Sequence, residues 1–403
     1  MDVYQTDDAV TRRIKAMTDR ISKLQENDLY FYNQAVEEML GDSKVRVRGR
    51  VMGMYASYGY LGLLGHPRIN AAAKAAVDKF GTGTNGVRTL AGTLTLHNEL
   101  EETIANFKHT EAAITYSSGY ATNLTVVSTL MGRGDYVFSD KLNHASIVDG
   151  CLMSGAEFRR FRHNDMEHLE GLLKNAPADV AKLVIADSVF SMDGDIIDLP
   201  TMAALCKKYN AWLMIDEAHS LGVLGEKGTG IEEHFDLYGT IDIKMGTLSK
   251  TIPSVGGYVA ASKDIITYLR HASRAYIFSA ALPPAQAAAA NEAFKVILDE
   301  PERIVKLNLN TKQFIGGLKS MGFNTMLTET AIVPVLCGDD ETAFAITREA
   351  QHNDVFVLPV VSPAVPEGLA RLRATVTAAH DPSEIERAMD VIGEAGKKLG
   401  IIK

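Results

Sequence analysis

The chain reads as an α/β protein with a mostly parallel sheet and a second, smaller domain, on two observations. Short apolar runs at Ala112–Tyr116, Tyr136–Ser139, Leu183–Asp187, Ala211–Ile215, Ile243–Gly246 and Gly257–Ala261 are interleaved with helical patterns at Asn123–Met131, Ala145–Ser154, His168–Asn175 and Leu199–Tyr209. Continuous apolar strands alternating with helices belong to a parallel sheet covered on both faces. The second observation is length, since 403 residues exceed what one hydrophobic core usually organises.

Residues 5–40 are polar with Ile14, Met17, Ile21 and Leu24 at helical spacing, which predicts an amphipathic helix that packs on something or reaches a second subunit. Ala-rich and apolar helices follow at Ile69–Phe80 and Leu94–Phe107. After the sheet, a long helix at Ala285–Asp299 runs into Pro301. Helix 304–321, strand 331–336, helix 341–353, strand 372–377 and helix 382–399 then predict a small α/β unit. Its last helix opens with Asp381 as cap and Pro382 in the first turn. The expected division is a helical arm over 1–55, a large cofactor-binding domain over 56–295 and a small domain over 296–403.

A net charge of −9, with no cluster of Lys and Arg among aromatics, provides no basis for nucleic-acid binding. The basic run Lys44–Arg50 reads as a solvated segment or a rim for an anionic group. Three separated cysteines exclude a disulfide framework and a structural zinc site and fit a reducing cytosol. No stretch of about 18 apolar residues occurs and the amino terminus begins acidic, so neither a membrane span nor a signal peptide is expected, and the location expected is cytoplasmic.

The chemistry concentrates in a few segments. Gly81–Gly86 matches G-x-G-x-x-G, but a helix precedes it, which rules out the dinucleotide reading. Asp216 ends an apolar strand in Met214-Ile215-Asp216-Glu217-Ala218-His219, on the edge that faces the ligand crevice of an open parallel sheet. Lys250 follows another strand in Gly246-Thr247-Leu248-Ser249-Lys250. A Lys amine that forms a Schiff base with an aldehyde, and an acid that keeps a pyridine nitrogen protonated, suit pyridoxal phosphate. Ser118, Gly119 and Tyr120 occupy a strand-to-helix turn suited to phosphate, and the hydroxyls of Thr247 and Ser249 suit it too. His144 and Ser191 follow their strands onto the same edge.

These segments, with Ser191-Met192-Asp193-Gly194 and Ser279-Ala280-Ala281-Leu282-Pro283-Pro284, resemble those of the α-oxoamine synthases from about Tyr55 to His380. The resemblance implies a fold-type I pyridoxal phosphate transferase with a seven-stranded, mostly parallel sheet. It implies that Lys250 holds the cofactor and moves protons, that Asp216 pairs with the ring nitrogen, that His219 bonds the phenolic oxygen and that His144 stacks on the ring. It puts Ser118, Gly119, Tyr120, Ser191 and Thr247 around the cofactor, Ser279 on the phosphate of a neighbouring subunit in a homodimer, and Arg373 on the amino-acid carboxylate. The implied reaction joins a small amino acid (glycine, alanine or serine) to an acyl thioester, on coenzyme A or a carrier protein, with loss of CO₂. An aminotransferase, a β-eliminating lyase and a non-catalytic partner subunit are the competing readings. Two departures turn the likeness toward the serine palmitoyltransferase version. Val360-Val361-Ser362-Pro363 stands where several members carry an Arg, and Tyr58-Gly59, near the substrate, replaces an Asn-Asp pair.

Overall fold

Side chains of the central strands alternate between two apolar clusters, and this alternation organises the molecule, seen in a computed structural model that describes residues 8–403. The acidic start Met1–Asp7 lies outside the described residues. Leu183 and Ile185, Met214, Ile243 and Met245 fall in one cluster, whereas Val184 and Ala186, Leu213 and Ile215, Tyr258 and Ala260 fall in the other. A strand turns successive side chains to opposite faces, so both faces of the sheet are packed.

The strands run in the order 112–116, 253–261, 243–249, 212–216, 182–187, 136–140, 157–161. Strand 253–261 is antiparallel to both neighbours and the remaining pairings are parallel. Seven strands, mostly parallel, is the expected sheet. Its outer strand, Glu157-Phe158-Arg159-Arg160-Phe161, carries no apolar run because an edge strand buries little, and charge there discourages pairing with another chain.

The amino-terminal region departs from the expected single helix over 5–40. The helix spans Ala9–Glu26, with Asp8 accepting from the amides of Val10 and Thr11, and Asp28 and Asn33 take positive φ beyond it. Strands Val36–Met39, Lys44–Val47 and Arg50–Met54 follow as an antiparallel meander whose last member pairs in parallel with Val355–Phe356. The segment read as a helical arm is thus β over much of its second half and is tied to the carboxyl-terminal part of the chain. Within the basic run, Lys44 pairs with Glu384 at 2.7 Å, Arg46 with Glu38 at 3.1 Å and Arg50 with Asp354 at 2.6 Å, so these cations hold the meander in place. Arg48 and Gly49 supply the two positive φ angles of its tight turn.

Beyond Pro301, strands 332–338, 370–375 and 358–360 form a three-stranded antiparallel sheet in the order 332–338, 370–375, 358–360. It packs with helices Glu302–Ser320, Asp340–His352 and Pro382–Lys398, and Asp381 and Glu384 cap the last in a reciprocal box. Segment 55–60 lies along this unit through Thr375 N to Tyr55 O and Ala378 N to Tyr60 O, both 2.8 Å, which brings Tyr58 beside Arg373.

Candidate active site

Parallel neighbours end at the same edge of a sheet, so residues that close successive strands meet there. Asp187 and Asp216 are register partners on adjacent strands, and Lys250 follows the next strand over. With His144, His219 and the turn Ser118–Tyr120 they line one cavity of about 290 Å³.

Lys250 Nζ lies 2.8 Å from His219 Nε2, and His219 Nδ1 lies 2.6 Å from the Tyr60 hydroxyl. Burial pulls the Lys250 amine down to about 8, against the opposing pull of the acidic pair, chiefly Asp216. His219 is held well below the ordinary histidine range by burial and by the positive charges of Lys250 and Arg373. Tyr60 is pushed up, chiefly by burial. A phenol that keeps its proton donates it to Nδ1, which leaves the imidazole proton on Nε2, directed at the amine.

Asp216 accepts from Asn123 Nδ2 at 2.7 Å and from the Ala218 amide at 2.9 Å. Asp187, fully buried, is raised well above the carboxylate range by burial and by the neighbouring Asp216 charge, and it accepts from the His144 amide. Two buried carboxyl groups this close favour one charge between them. His144 caps helix Ala145–Ser154, its Nδ1 is 2.7 Å from Ser146 Oγ, and burial lowers it.

At the opposite side, Ser118 caps helix Gly119–Leu130, whose first amides have no partner within the helix. A Cβ on Gly257 would run into Thr122 and the Gly119 backbone, so only glycine lets strand 253–261 approach this turn. Thr247 Oγ1 lies 2.9 Å from Ser249 Oγ and donates to Gly256 O at 3.0 Å, so in this arrangement its proton is engaged within the chain. Ser191 lines the cavity and its carbonyl accepts from Arg373 Nε at 2.6 Å. The Arg373 guanidinium lies 4.7 Å from the Tyr58 ring centroid, and its buried Nη2 makes no hydrogen bond.

Eleven of the twelve residues expected from the sequence converge in this way. Ser279 does not: it lies in a separate recess with Ser117, Tyr276 and Arg88. Sequence reasoning missed Asp187, Asn123 and Tyr60. Asp187 carried the same signal as Asp216, an acid closing an apolar strand, and Asn123 lies one turn after Gly119 on the helix that rises from the phosphate-type turn. For Tyr60 no local signal existed, because its partner His219 is 159 residues away.

Comparison with known proteins agrees with this geometry. The family Aminotransferase class I and II matches residues 55–392. An 8-amino-7-oxononanoate synthase 1 of Bacillus velezensis is 44% identical over 95% of this chain and 97% of its own length. An 8-amino-7-oxononanoate synthase of Geobacter sulfurreducens is 44% identical over 96% and 100%. The chain belongs to the α-oxoamine synthases.

Among solved structures of the family, a serine palmitoyltransferase with its pyridoxal phosphate internal aldimine superposes with TM-score 0.95 at 37% identity, covering 98% of this chain and all of that one. The serine palmitoyltransferase of Sphingomonas wittichii does so with TM-score 0.95 at 34%, with the same coverage. The 8-amino-7-oxononanoate synthase of Francisella tularensis reaches TM-score 0.74 at 27%, covering 85% and 97%. The likeness therefore extends into the first 50 residues, which the motifs alone had left outside it. The chain is a pyridoxal phosphate-dependent acyltransferase, and its cavity suits that cofactor: a buried amine of lowered pKa, a carboxylate pair at the sheet edge, and a helix amino terminus for an anion. No helix among the described residues is long and apolar enough to cross a membrane.

Proposed function

We propose that this synthase condenses alanine with an acyl-coenzyme A, releasing CO₂ and free thiol and leaving an α-amino ketone, in a homodimer whose partner supplies Ser279 to the phosphate. The carrying observation is that Lys250 and Asp216 line one cavity, while the Tyr58 ring lies 5.6 Å from the Lys250 amine and 4.7 Å from the guanidinium of Arg373, whose Nη2 makes no hydrogen bond. When bound, pyridoxal phosphate supplies an electron sink for the bonds to the amino acid's α-carbon.

The chain's own residues do the rest. Arg373 Nη2 is free to take the substrate carboxylate, with Ser191 O and Thr375 Oγ1 holding the other faces of the guanidinium. Lys250 removes the α-proton as a neutral amine, a state that a pKa of about 8 makes accessible. The Nε2 proton of His219 steers that amine and, once Lys250 moves, is free to polarise the thioester carbonyl. Asp216, oriented by Asn123, would hold the ring nitrogen. His144, anchored through Ser146, would stack on the ring. The first amides of helix 119–130, with Ser118 and Tyr120, would hold the phosphate. Alanine is favoured over serine because the product named for the 44% identical relatives bears its amine on a carbon whose other substituent is a methyl group.

The test uses cofactor-loaded enzyme given glycine, alanine or serine with decanoyl-coenzyme A, following thiol and CO₂ release. Alanine is expected to give the highest kcat/KM; serine in the lead replaces the amino acid, and thiol release with none of the three sinks the synthase reading.

Capture of the cofactor by the cofactor-free chain needs the unprotonated amine, so its rate is expected to rise about tenfold per pH unit below about 8 and to level off above it. Stopped-flow absorbance between pH 6 and pH 10, as about the usable range, checks this; a profile that levels off only near the ordinary lysine value contradicts the buried amine.

A further inference from the structure

Helix Ala9–Glu26 presents the apolar stripe predicted for it, yet none of its residues is fully buried, and Met17 on the stripe is 58% exposed. Between the helix and the body lies a groove of about 340 Å³. Met17, Ile21 and Leu24 form one wall, Val360 and Ala364 the other. Met192 also lines it, and the preceding residue, Ser191, lines the cavity of Lys250. The groove and the reaction site therefore share one stretch of chain as a wall. Arg371 clamps that stretch by donating to Met192 O at 3.0 Å and to Asp193 at 2.8 Å, as Arg373 does through Ser191 O.

On its other side the groove shares Arg20 and Ser362 with a recess lined by Asp339, Asp340, Glu341 and Glu367. Arg20 is already engaged, donating to Ser362 O at 3.1 Å and pairing with Asp340 at 3.5 Å. Four carboxylates against one committed guanidinium make this rim repel anions. Val361 also lines the groove and brings no charge to it; it is buried with Phe31 and Phe344.

We propose that this groove receives the acyl chain of the thioester, and that the chain ends in a methyl group rather than a carboxylate. This rests on the synthase reading above. The stripe from Met17 to Leu24 spans about 10 Å of helix, which suits a run of methylenes but not a two-carbon acyl group. The methyl end is the unexpected part, since the product named for the curated relatives, an oxononanoate, ends in a carboxylate.

The test compares acetyl-, hexanoyl- and decanoyl-coenzyme A with the ω-carboxy analogue of decanoyl-coenzyme A, by kcat/KM and by calorimetric affinity. Decanoyl is expected to exceed acetyl by about tenfold or more, and the ω-carboxylate to fall about tenfold below its methyl-ended counterpart. Ile21→Glu, and Met17→Glu at a position exposed enough to spare the fold, are expected to reduce the decanoyl-to-acetyl ratio about tenfold. Equal values for all chain lengths, or ratios unmoved by both variants, overturn the groove assignment while acetyl turnover keeps the synthase reading intact. Preference for the ω-carboxylate overturns the methyl end. Should no thioester be turned over, the function proposed above fails, and the calorimetric ratios still decide whether the groove takes an acyl chain.

Discussion

Lys250→Ala is expected to abolish covalent retention of the cofactor and to lower turnover by about 10³-fold or more. The magnitude follows from the two jobs one amine holds, since it both captures the aldehyde and carries the α-proton. The neighbouring imidazole does not replace it. His219 is kept neutral by burial and nearby positive charge, and its Nδ1 is committed to Tyr60, so it is a poor base and cannot form the covalent link. Borohydride treatment followed by denaturation and mass measurement checks the first part: the unaltered chain should gain the cofactor's mass at Lys250 and the variant should gain none. A variant that still traps cofactor at another lysine, or keeps a tenth of its turnover, removes Lys250 from the mechanism.

The largest expected loss of stability comes from Lys108→Met, at about 3–5 kcal/mol. Lys108 is 3% exposed and pairs at 2.5 Å with Glu217, which is itself 1% exposed and follows Asp216 directly. The amine also donates to Thr229 O, while Glu217 Oε1 accepts from the Ile231 amide at 3.0 Å. Removing the cation strands a carboxylate in the interior beside the loop that presents Asp216 and His219. The double variant Lys108→Met with Glu217→Gln should recover much of the loss, because removing both charges costs less than orphaning one. Urea unfolding of the three chains measures this, and a Lys108→Met loss below about 1 kcal/mol would mean that Glu217 is rescued by water or by its own protonation. The same network reaches Lys244 and Glu232, paired at 2.5 Å, with Lys244 donating to Lys108 O. The loop after strand 212–216 is thus braced from behind by charges that never touch the cavity.

Asp216, His219, Lys250, His144 and Ser191 were legible in the sequence because each lies at the end of an apolar strand or in the turn after it, and parallel topology carries such ends to one edge whatever the register. The helix caps at Ser118 and Asp381 were legible for a similar reason, since their partners lie within three residues. Local chemistry of that kind determined the sheet, the cofactor and the residues that meet it. Only the tertiary structure decided the rest. The meander over 36–54 finds its last strand partner some 300 residues away, at Val355–Phe356, and the charged edge strand 157–161 carries no apolar period to read. The Tyr60–His219 bond, the Asp187–Asp216 pair and the groove under the first helix arise from segments distant in the chain, and their energetics depend on burial that no short window of sequence reports. Spacing along a strand reveals which side chains share an edge, whereas which of them are desolvated, which share one charge and what space is left between elements depend on packing.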